Sequence, residues 1–204
     1  MTLTAWLALL AISLLGAVSP GPSLAVVAKS TLGGNKLNGI LTAWAHALGI
    51  GVYACLTLFG LMLVLKENPA LFQLITYAGA LYLAWLGISA LRSRGGIAAK
   101  LDTGKATGYG ESMRNGLMIS LLNPKIGLFF LALFSQFIHP EVGLWGKIIT
   151  MLTPMCVDGL WYTLVALMLS HPRILPALRS KARWIDRLTG VVLLLLALRI
   201  IWGA

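Results

Sequence analysis

Long apolar runs divide the chain into six segments, separated by short stretches rich in charged or turn-forming residues. A membrane-spanning helix needs about 20 predominantly apolar residues. The runs are continuous rather than alternating, which excludes a membrane β-barrel. We therefore predict an all-α integral membrane fold with six transmembrane helices. The predicted spans are 3–28, 37–65, 70–91, 113–138, 145–169 and 188–202, the last extended back to near Trp184 to reach spanning length.

The composition agrees with this pattern. The chain has 204 residues, of which 58% are hydrophobic and 11% charged, and its mean hydropathy is +0.87. A soluble domain carries about 25% charged and roughly 45–50% apolar residues. A soluble enzyme, a disordered chain and a secreted disulfide scaffold are therefore excluded. The first run lacks a basic start and continues through Pro20 and Pro22, so we predict a retained helix rather than a signal peptide.

Positive charge is distributed unevenly among the loops. The net charge is +10, and the second and fourth loops hold only Lys66 and Lys147. Because cytoplasmic loops carry the excess of Lys and Arg, we predict that both termini face the outside of the cell. The same placement argues against nucleic acid as a partner. The basic residues of the other three loops are Lys29, Lys36, Arg92, Arg94, Lys100, Lys105, Arg114, Arg173, Arg179, Lys181, Arg183 and Arg187.

Two of these cytoplasmic segments have patterns of their own. Residues 95–110 are rich in glycine, which predicts a flexible loop. In residues 174–187, apolar and basic side chains fall on different helical faces. That pattern favours a basic amphipathic segment on the inner leaflet, and a solvated charged linker is an equal alternative.

Proline interrupts two of the predicted spans. The string Ser19-Pro20-Gly21-Pro22 lies in the first span and Asn123-Pro124-Lys125 lies in the fourth. Proline inside a helix removes a backbone donor and clashes with the preceding turn, so both spans are predicted to be broken. Asn123 can cap a half-helix that begins at Pro124, and Gly21 with Pro22 offers a similar start. The exposed amides and the positive dipole end would then favour an anion at the membrane midplane.

The two breaks stand at matching places. Pro20 and Pro124 are 104 residues apart, and the same offset overlays the second span on the fifth. We therefore predict one domain, 1–204, built from pseudo-repeats 1–94 and 111–204 and linked by a basic cytoplasmic loop, 92–112. Three helices are an odd number, so the second repeat enters the bilayer from the opposite side. Inverted repeats with broken helices at corresponding positions indicate a transporter site.

Three polar side chains lie inside the apolar runs. Asp158 is near the middle of span five, where an acid usually faces a cavity or a partner. It is predicted to carry a proton or hold a substrate ammonium, and the alternative is a structural ion pair with Lys125. Lys125 could bind a carboxylate, or its ammonium could instead snorkel to an interface. His46 could relay protons near neutral pH or be a hydrogen-bonded structural residue.

Motifs for other kinds of chemistry are missing from the sequence. It has no Walker lysine motif, no HExxH and no Ser–His–Asp set at helical spacing. The acidic residues are few and scattered, which argues against a cage for a divalent cation. We therefore predict that the chain is not an enzyme, uses no cofactor and binds no metal, and that an ion gradient drives its transport.

The chain resembles the LysE family of exporters, in its homoserine/threonine resistance (RhtB-type) branch. The likeness covers nearly the whole chain, and its motifs occur in order at similar spacing. The strings that carry it are Ser19-Pro20-Gly21-Pro22, residues 77–87 (YAGALYLAWLG), Leu122-Asn123-Pro124-Lys125, Phe129-Phe130, Gln136-Phe137, Trp184-Ile185-Asp186 and Thr189-Gly190.

This resemblance implies a multi-pass exporter in the bacterial inner membrane that acts as a proton antiporter. Its substrates would be amino acids or close derivatives resembling threonine, homoserine, leucine or lysine. The alternative is an exporter of another small solute or cation in the same superfamily. The implied partners are the substrate, protons and the lipid bilayer, and a homodimer is left open. The family motifs map onto the substrate-binding residues Ser19, Pro20, Gly21, Pro22, Asn123, Pro124, Lys125 and Asp158.

Two positions depart from the family pattern. Many members carry an aspartate in span two after a glycine-rich stretch, and residues 49–53 of this chain contain none. Members commonly have Asn directly after the Pro-Gly-Pro turn, where this chain has Ser23. The departures concern substrate identity and ion coupling, which the sequence leaves open, more than the fold.

A binding mode follows from these residues. A zwitterionic substrate would lie near the midplane with its carboxylate at the half-helix N-termini and Lys125. Its ammonium would meet Asp158 and the freed carbonyls around Ser19 and Pro20. Protonation of Asp158 from outside would release the substrate, with His46 as a second proton-coupling residue.

Overall fold

The computed structural model describes residues 2–19, 21–93, 108–137, 143–171 and 174–203. Within these ranges the backbone forms eight α-helices and no β-strand. The all-helical class is confirmed. The helices are α1 Leu3–Val18, α2 Pro22–Gly33, α3 Lys36–Glu67, α4 Pro69–Arg92, α5 Tyr109–Leu122, α6 Pro124–Phe134, α7 Leu144–Leu169 and α8 Ile174–Gly203.

Several of the described helices are long and apolar enough to cross a membrane. Helices α3, α4 and α7 meet this condition individually, and the pairs α1–α2 and α5–α6 meet it jointly, which gives up to five candidate spans. Helix α8 is not among them, because Asp186, Arg187 and Arg199 interrupt its apolar stretch. The sixth span stays a prediction. Many large apolar side chains are exposed on the helices, as expected for a surface that contacts lipid.

Both predicted breaks interrupt helical structure. Helices α1 and α2 meet at a bend of 62°, and α5 and α6 meet at a bend of 56°. At the second break the Asn123 side chain accepts a hydrogen bond from the amide of Lys125 at 3.1 Å, and Pro124 is the first helical residue. At the first break the extended residue Gly21 precedes Pro22, which begins α2. The predicted half-helix starts are therefore confirmed at both places.

Small residues allow the helices to pack closely. Helix α3 packs along α5 and α7, while α4 packs along α8 and α6. A Cβ atom added to Gly190 would lie 2.7 Å from the Gly87 carbonyl oxygen, and one added to Gly87 would lie 2.9 Å from the Gly190 carbonyl oxygen. The backbones of α4 and α8 therefore touch directly, as is common between transmembrane helices.

The division into repeats 1–94 and 111–204 with a linker over 92–112 stays a prediction. Helix α4 ends at Arg92, and α5 begins at Tyr109, so that its first two residues lie in the loop predicted over 95–110. Glu111 in the first turn of α5 favours this early start because an acid complements the positive end of the helix dipole. Residues 94–107 lie outside the described ranges.

The basic segment before the last span belongs to a helix. Residues 174–187 continue into the apolar part of α8 without interruption. The Arg187 guanidinium carbon lies 5.7 Å from the ring centre of Trp184, and both side chains are exposed. The segment is therefore part of a helix rather than a linker. Its contact with the inner leaflet stays a prediction.

Candidate functional site

A cavity lies where the two helix breaks meet. The space between its walls amounts to about 640 Å³ when the open mouth is counted. Helices α3 and α7 supply its acid–base side chains, and α4, α6 and α8 supply much of its apolar wall. The polar residues at the breaks that line it are Ser19, Gly21, Ser23, Asn123 and Lys125.

Lys125 connects the two breaks. Its ammonium donates a hydrogen bond to the Ser19 hydroxyl at 2.8 Å. A Cβ atom added to Gly21 would lie 3.4 Å from the same ammonium. In the described ranges no carboxylate oxygen lies within 4.0 Å of it. The cavity therefore contains a lysine that is held in place by a neutral side chain.

The two half-helix starts differ in their free amides. In α6 the amide of Lys125 is already bonded to Asn123, so this terminus acts through its dipole and the lysine side chain. In α2 no side-chain cap is present among the described residues. The first amides of α2 are therefore the ones left to a ligand, which corrects the expectation of bare amides at both breaks.

Three side chains from different helices form one buried hydrogen-bonded chain. His46 Nδ1 lies 2.7 Å from Asp158 Oδ2, and His46 Nε2 lies 2.8 Å from the Ser23 hydroxyl. His46 is 1% and Asp158 5% exposed. His46 is ten residues after the start of α3, and Asp158 is eleven residues before the end of α7. Each therefore lies roughly 15 Å from the nearer end of its helix. Tyr162 packs edge-on against the imidazole at 5.3 Å between ring centres.

The side chain that pairs with Asp158 is not the one that the sequence suggested. Asp158 pairs with His46 rather than with Lys125, so the proposed Asp158–Lys125 ion pair is wrong. A buried carboxylate needs a charged or hydrogen-bonding partner, and the imidazole supplies it. The ammonium of Lys125 is consequently left for other ligands.

The described residues contain no group of three His, Cys, Asp or Glu side chains that could hold a metal ion. Among the described residues, the ionisable groups that line the partly apolar cavity therefore include one ammonium, one imidazole and one carboxylate, and several hydroxyls accompany them.

Comparison with known proteins places the chain in a family. The model of the LysE type translocator family matches residues 14–203. The chain belongs to the LysE type translocator family. No solved structure matches it.

Relatives of this LysE type translocator have been named for amino-acid efflux. The threonine efflux protein of Escherichia coli K12 is 28% identical over 181 residues, 86% of each chain. The threonine efflux protein of Salmonella typhi is 29% identical over 184 residues, again 86% of each chain. The leucine efflux protein of Salmonella choleraesuis is 32% identical over 119 residues, 58% of this chain and 56% of its own.

Most of the predicted site residues of this translocator meet at the cavity. The ones that line it are Ser19, Gly21, His46, Asn123, Lys125 and Asp158. Pro22 and Pro124 do not line it; both are exposed on the outer side of their helices. Their structural role is to begin α2 and α6, because proline suits the first helical position. Pro20 lies outside the described ranges.

Three further polar residues line the cavity but were not among the predicted site residues. In the sequence Ser23 is a departure from the family pattern, and nothing there predicts its bond to His46. Tyr162 stands one helical turn after Asp158 on α7, and this i, i+4 spacing could have placed it on the same face. Ser13 carries no sequence signal beyond being a hydroxyl in an apolar run.

Proposed function

We propose that this translocator exports small amino acids from the cytoplasm by alternating access and proton antiport. The observation that carries the proposal is the placement of an ammonium with no carboxylate within 4.0 Å in the described ranges, two half-helix starts and a His–Asp pair around one cavity. An amino acid carries a carboxylate and an ammonium, which complement these groups. The threonine and leucine efflux relatives support the same class of substrate.

The substrate carboxylate binds at Lys125 and the N-terminus of α2. Lys125 is the second residue of α6, close to the positive end of the helix dipole, where a cation is unfavourable. Within the described ranges it also lacks a carboxylate partner. An anionic ligand would offset both the unfavourable helix dipole and the missing carboxylate partner, because it would bond to the ammonium and to the uncapped amides of α2.

The chain Ser23–His46–Asp158 couples the proton to the substrate. With a neutral imidazole protonated on Nδ1, Nε2 accepts from the Ser23 hydroxyl, and the Ser23 oxygen can accept from a substrate ammonium. When the imidazole gains a second proton, Nε2–H donates to Ser23, and the serine O–H turns toward the cavity. The cavity wall thereby changes from acceptor to donor, which weakens ammonium binding. Asp158 stabilises the imidazolium, so proton entry and substrate release go together.

Two inverted repeats give this site alternating access. The two bends, at equivalent places, and the mutual packing of α3 with α7 and of α4 with α8 support a pseudo-two-fold relation. Under such a relation each repeat takes the other's conformation in turn. The basic loops further support a bacterial inner-membrane location, with both termini outside.

The coupling role of Asp158 can be tested in proteoliposomes loaded with labelled threonine or leucine. An inwardly directed proton gradient should accelerate efflux from wild-type vesicles. Asn at position 158 still hydrogen-bonds His46 but cannot balance an imidazolium. In Asp158→Asn the acceleration should therefore fall about tenfold or more, while exchange at equal pH falls less. Glu67→Gln, which removes an exposed acid of α3, is the matched control.

Each outcome bears on a separate part of the proposal. Gradient-driven efflux that persists in Asp158→Asn would remove this residue from the coupling. Wild-type vesicles that move neither amino acid would contradict amino-acid export. Transport of an inorganic cation instead would favour the superfamily alternative, against which the positive charge of Lys125 in the cavity argues.

A further inference from the structure

Ser13 is a polar side chain of the cavity that the proposed binding mode does not use. It lies on α1, is 5% exposed, and lines the cavity. Within the described part of the chain its hydroxyl has no hydrogen-bond partner. A buried hydroxyl without a partner is unfavourable, so its position on the wall of a binding cavity calls for a ligand group.

Four buried threonines on the helices satisfy their hydroxyls locally. Each donates to the carbonyl four residues earlier: Thr31 to Val27, Thr42 to Asn38, Thr76 to Phe72 and Thr150 to Gly146, at 2.8 to 2.9 Å. This local bond is the ordinary solution for a serine or threonine inside an apolar helix. Ser13 does not make it. In the described ranges one other buried hydroxyl, that of Thr163, is also unpaired, and Thr163 does not line the cavity.

The surroundings of Ser13 are those of a side-chain subsite. Gly16, one turn further along α1, faces the ring of Phe129, since a Cβ atom there would lie 2.6 Å from the ring. Phe129 in turn stands one turn after Lys125 on α6. The cavity therefore passes from the proposed carboxylate site to an apolar region in which Ser13 provides a hydroxyl.

We propose that the Ser13 hydroxyl hydrogen-bonds the side chain of the substrate and selects a hydroxyl-bearing amino acid over its methyl isostere. The inference rests on the proposed amino-acid export and adds the residue that sets specificity. A site built to hydrogen-bond a hydroxyl rejects the analogue that lacks it, because the protein group is then left unpaired. Threonine and valine form the most informative pair, since they differ by a hydroxyl in place of a methyl group.

Counterflow in proteoliposomes measures this selectivity directly. Unlabelled threonine or valine competes with labelled leucine, and the ratio of the two inhibition constants is compared between variants. Wild-type protein should prefer threonine about tenfold, and Ser13→Ala should bring the ratio close to one. Thr163→Val, which removes the unpaired hydroxyl outside the cavity, should leave the ratio as in the wild type.

The outcomes separate this inference from the proposed function. A wild-type protein that does not distinguish threonine from valine overturns the role of Ser13. So does a Ser13→Ala variant that weakens both amino acids alike, because a merely structural hydroxyl would act on both. Counterflow of labelled threonine and of labelled leucine serves as the reference for activity; the absence of both from the wild type would contradict amino-acid transport itself.

Discussion

The ammonium of Lys125 lies 2.8 Å from the hydroxyl of Ser19, a contact that joins two helix breaks across 106 residues. Each partner comes from one of the two predicted repeats. The bond therefore connects equivalent places in the two halves, at the point where a substrate carboxylate is proposed to bind. A ligand at this place would contact both halves at once.

Removal of the Lys125 charge should weaken substrate binding. Lys125→Met keeps the length of the side chain but deletes the ammonium. Because a hydrogen bond to a charged group contributes about 1.5–3 kcal/mol, the KM for threonine counterflow should rise roughly tenfold to a hundredfold. Lys66→Met is the control, as Lys66 is exposed at the end of α3. An unchanged KM in Lys125→Met would exclude the lysine from the carboxylate site.

The hydroxyl of Ser23 should be needed for coupling. In Ser23→Ala the His46 Nε2 atom loses its partner, so the acceleration of efflux by a proton gradient should fall several-fold. Asn, the residue common at this place in the family, has both donor and acceptor atoms. Ser23→Asn should therefore retain more of the acceleration than Ser23→Ala. Equal acceleration by the proton gradient in the wild type, Ser23→Ala and Ser23→Asn would show that Ser23 does not couple protonation of the imidazole to substrate binding.

The atom order of Ser23, His46 and Asp158 also occurs in hydrolytic triads. Under the proposed proton antiport the same order passes a proton, and Ser23 is predicted to form no covalent intermediate. A fluorophosphonate probe that labels Ser23 would contradict this assignment and favour a membrane-embedded hydrolase.

The contact between Gly190 and Gly87 should make a small substitution costly. A methyl group at position 190 would lie 2.7 Å from the Gly87 carbonyl oxygen and 2.9 Å from the Leu91 amide nitrogen, two backbone atoms of α4 that cannot move aside as a side chain can. Overpacking of this kind costs about 1–3 kcal/mol, so Gly190→Ala should lower the thermal midpoint of the purified protein. Gly60→Ala is the matched control, because a Cβ atom there meets nothing within 4 Å. Equal midpoints for the two variants would show that α4 and α8 are not in backbone contact.

Local chemistry made much of the fold predictable. The two proline breaks follow from the loss of a backbone donor, and the Asn123 cap follows from its place directly before Pro124. Apolar length alone located both ends of the five candidate spans to within five residues; the start at Tyr109 differs because the polar first turn of α5 precedes the apolar run. Each of these features depends on residues that are neighbours in the sequence.

The partners within the site could not be predicted in the same way. His46 and Asp158 are 112 residues apart, and their pairing depends on how α3 packs on α7. The sequence suggested Lys125 for Asp158 because opposite charges in an apolar setting are expected to pair. The structure instead pairs the acid with the imidazole, and among the described residues no carboxylate oxygen lies within 4.0 Å of the Lys125 ammonium. No local pattern distinguishes these two outcomes.

Helices α4 and α8 meet through bare backbone at Gly87 and Gly190, and residues beside this contact, Leu86 and Leu193, line the cavity. Helices whose backbones are in direct contact have no layer of side chains along which they can slide. We therefore expect α4 and α8 to move as one rigid unit during the transport cycle. The conformational change would then occur mainly at the bends between α1 and α2 and between α5 and α6.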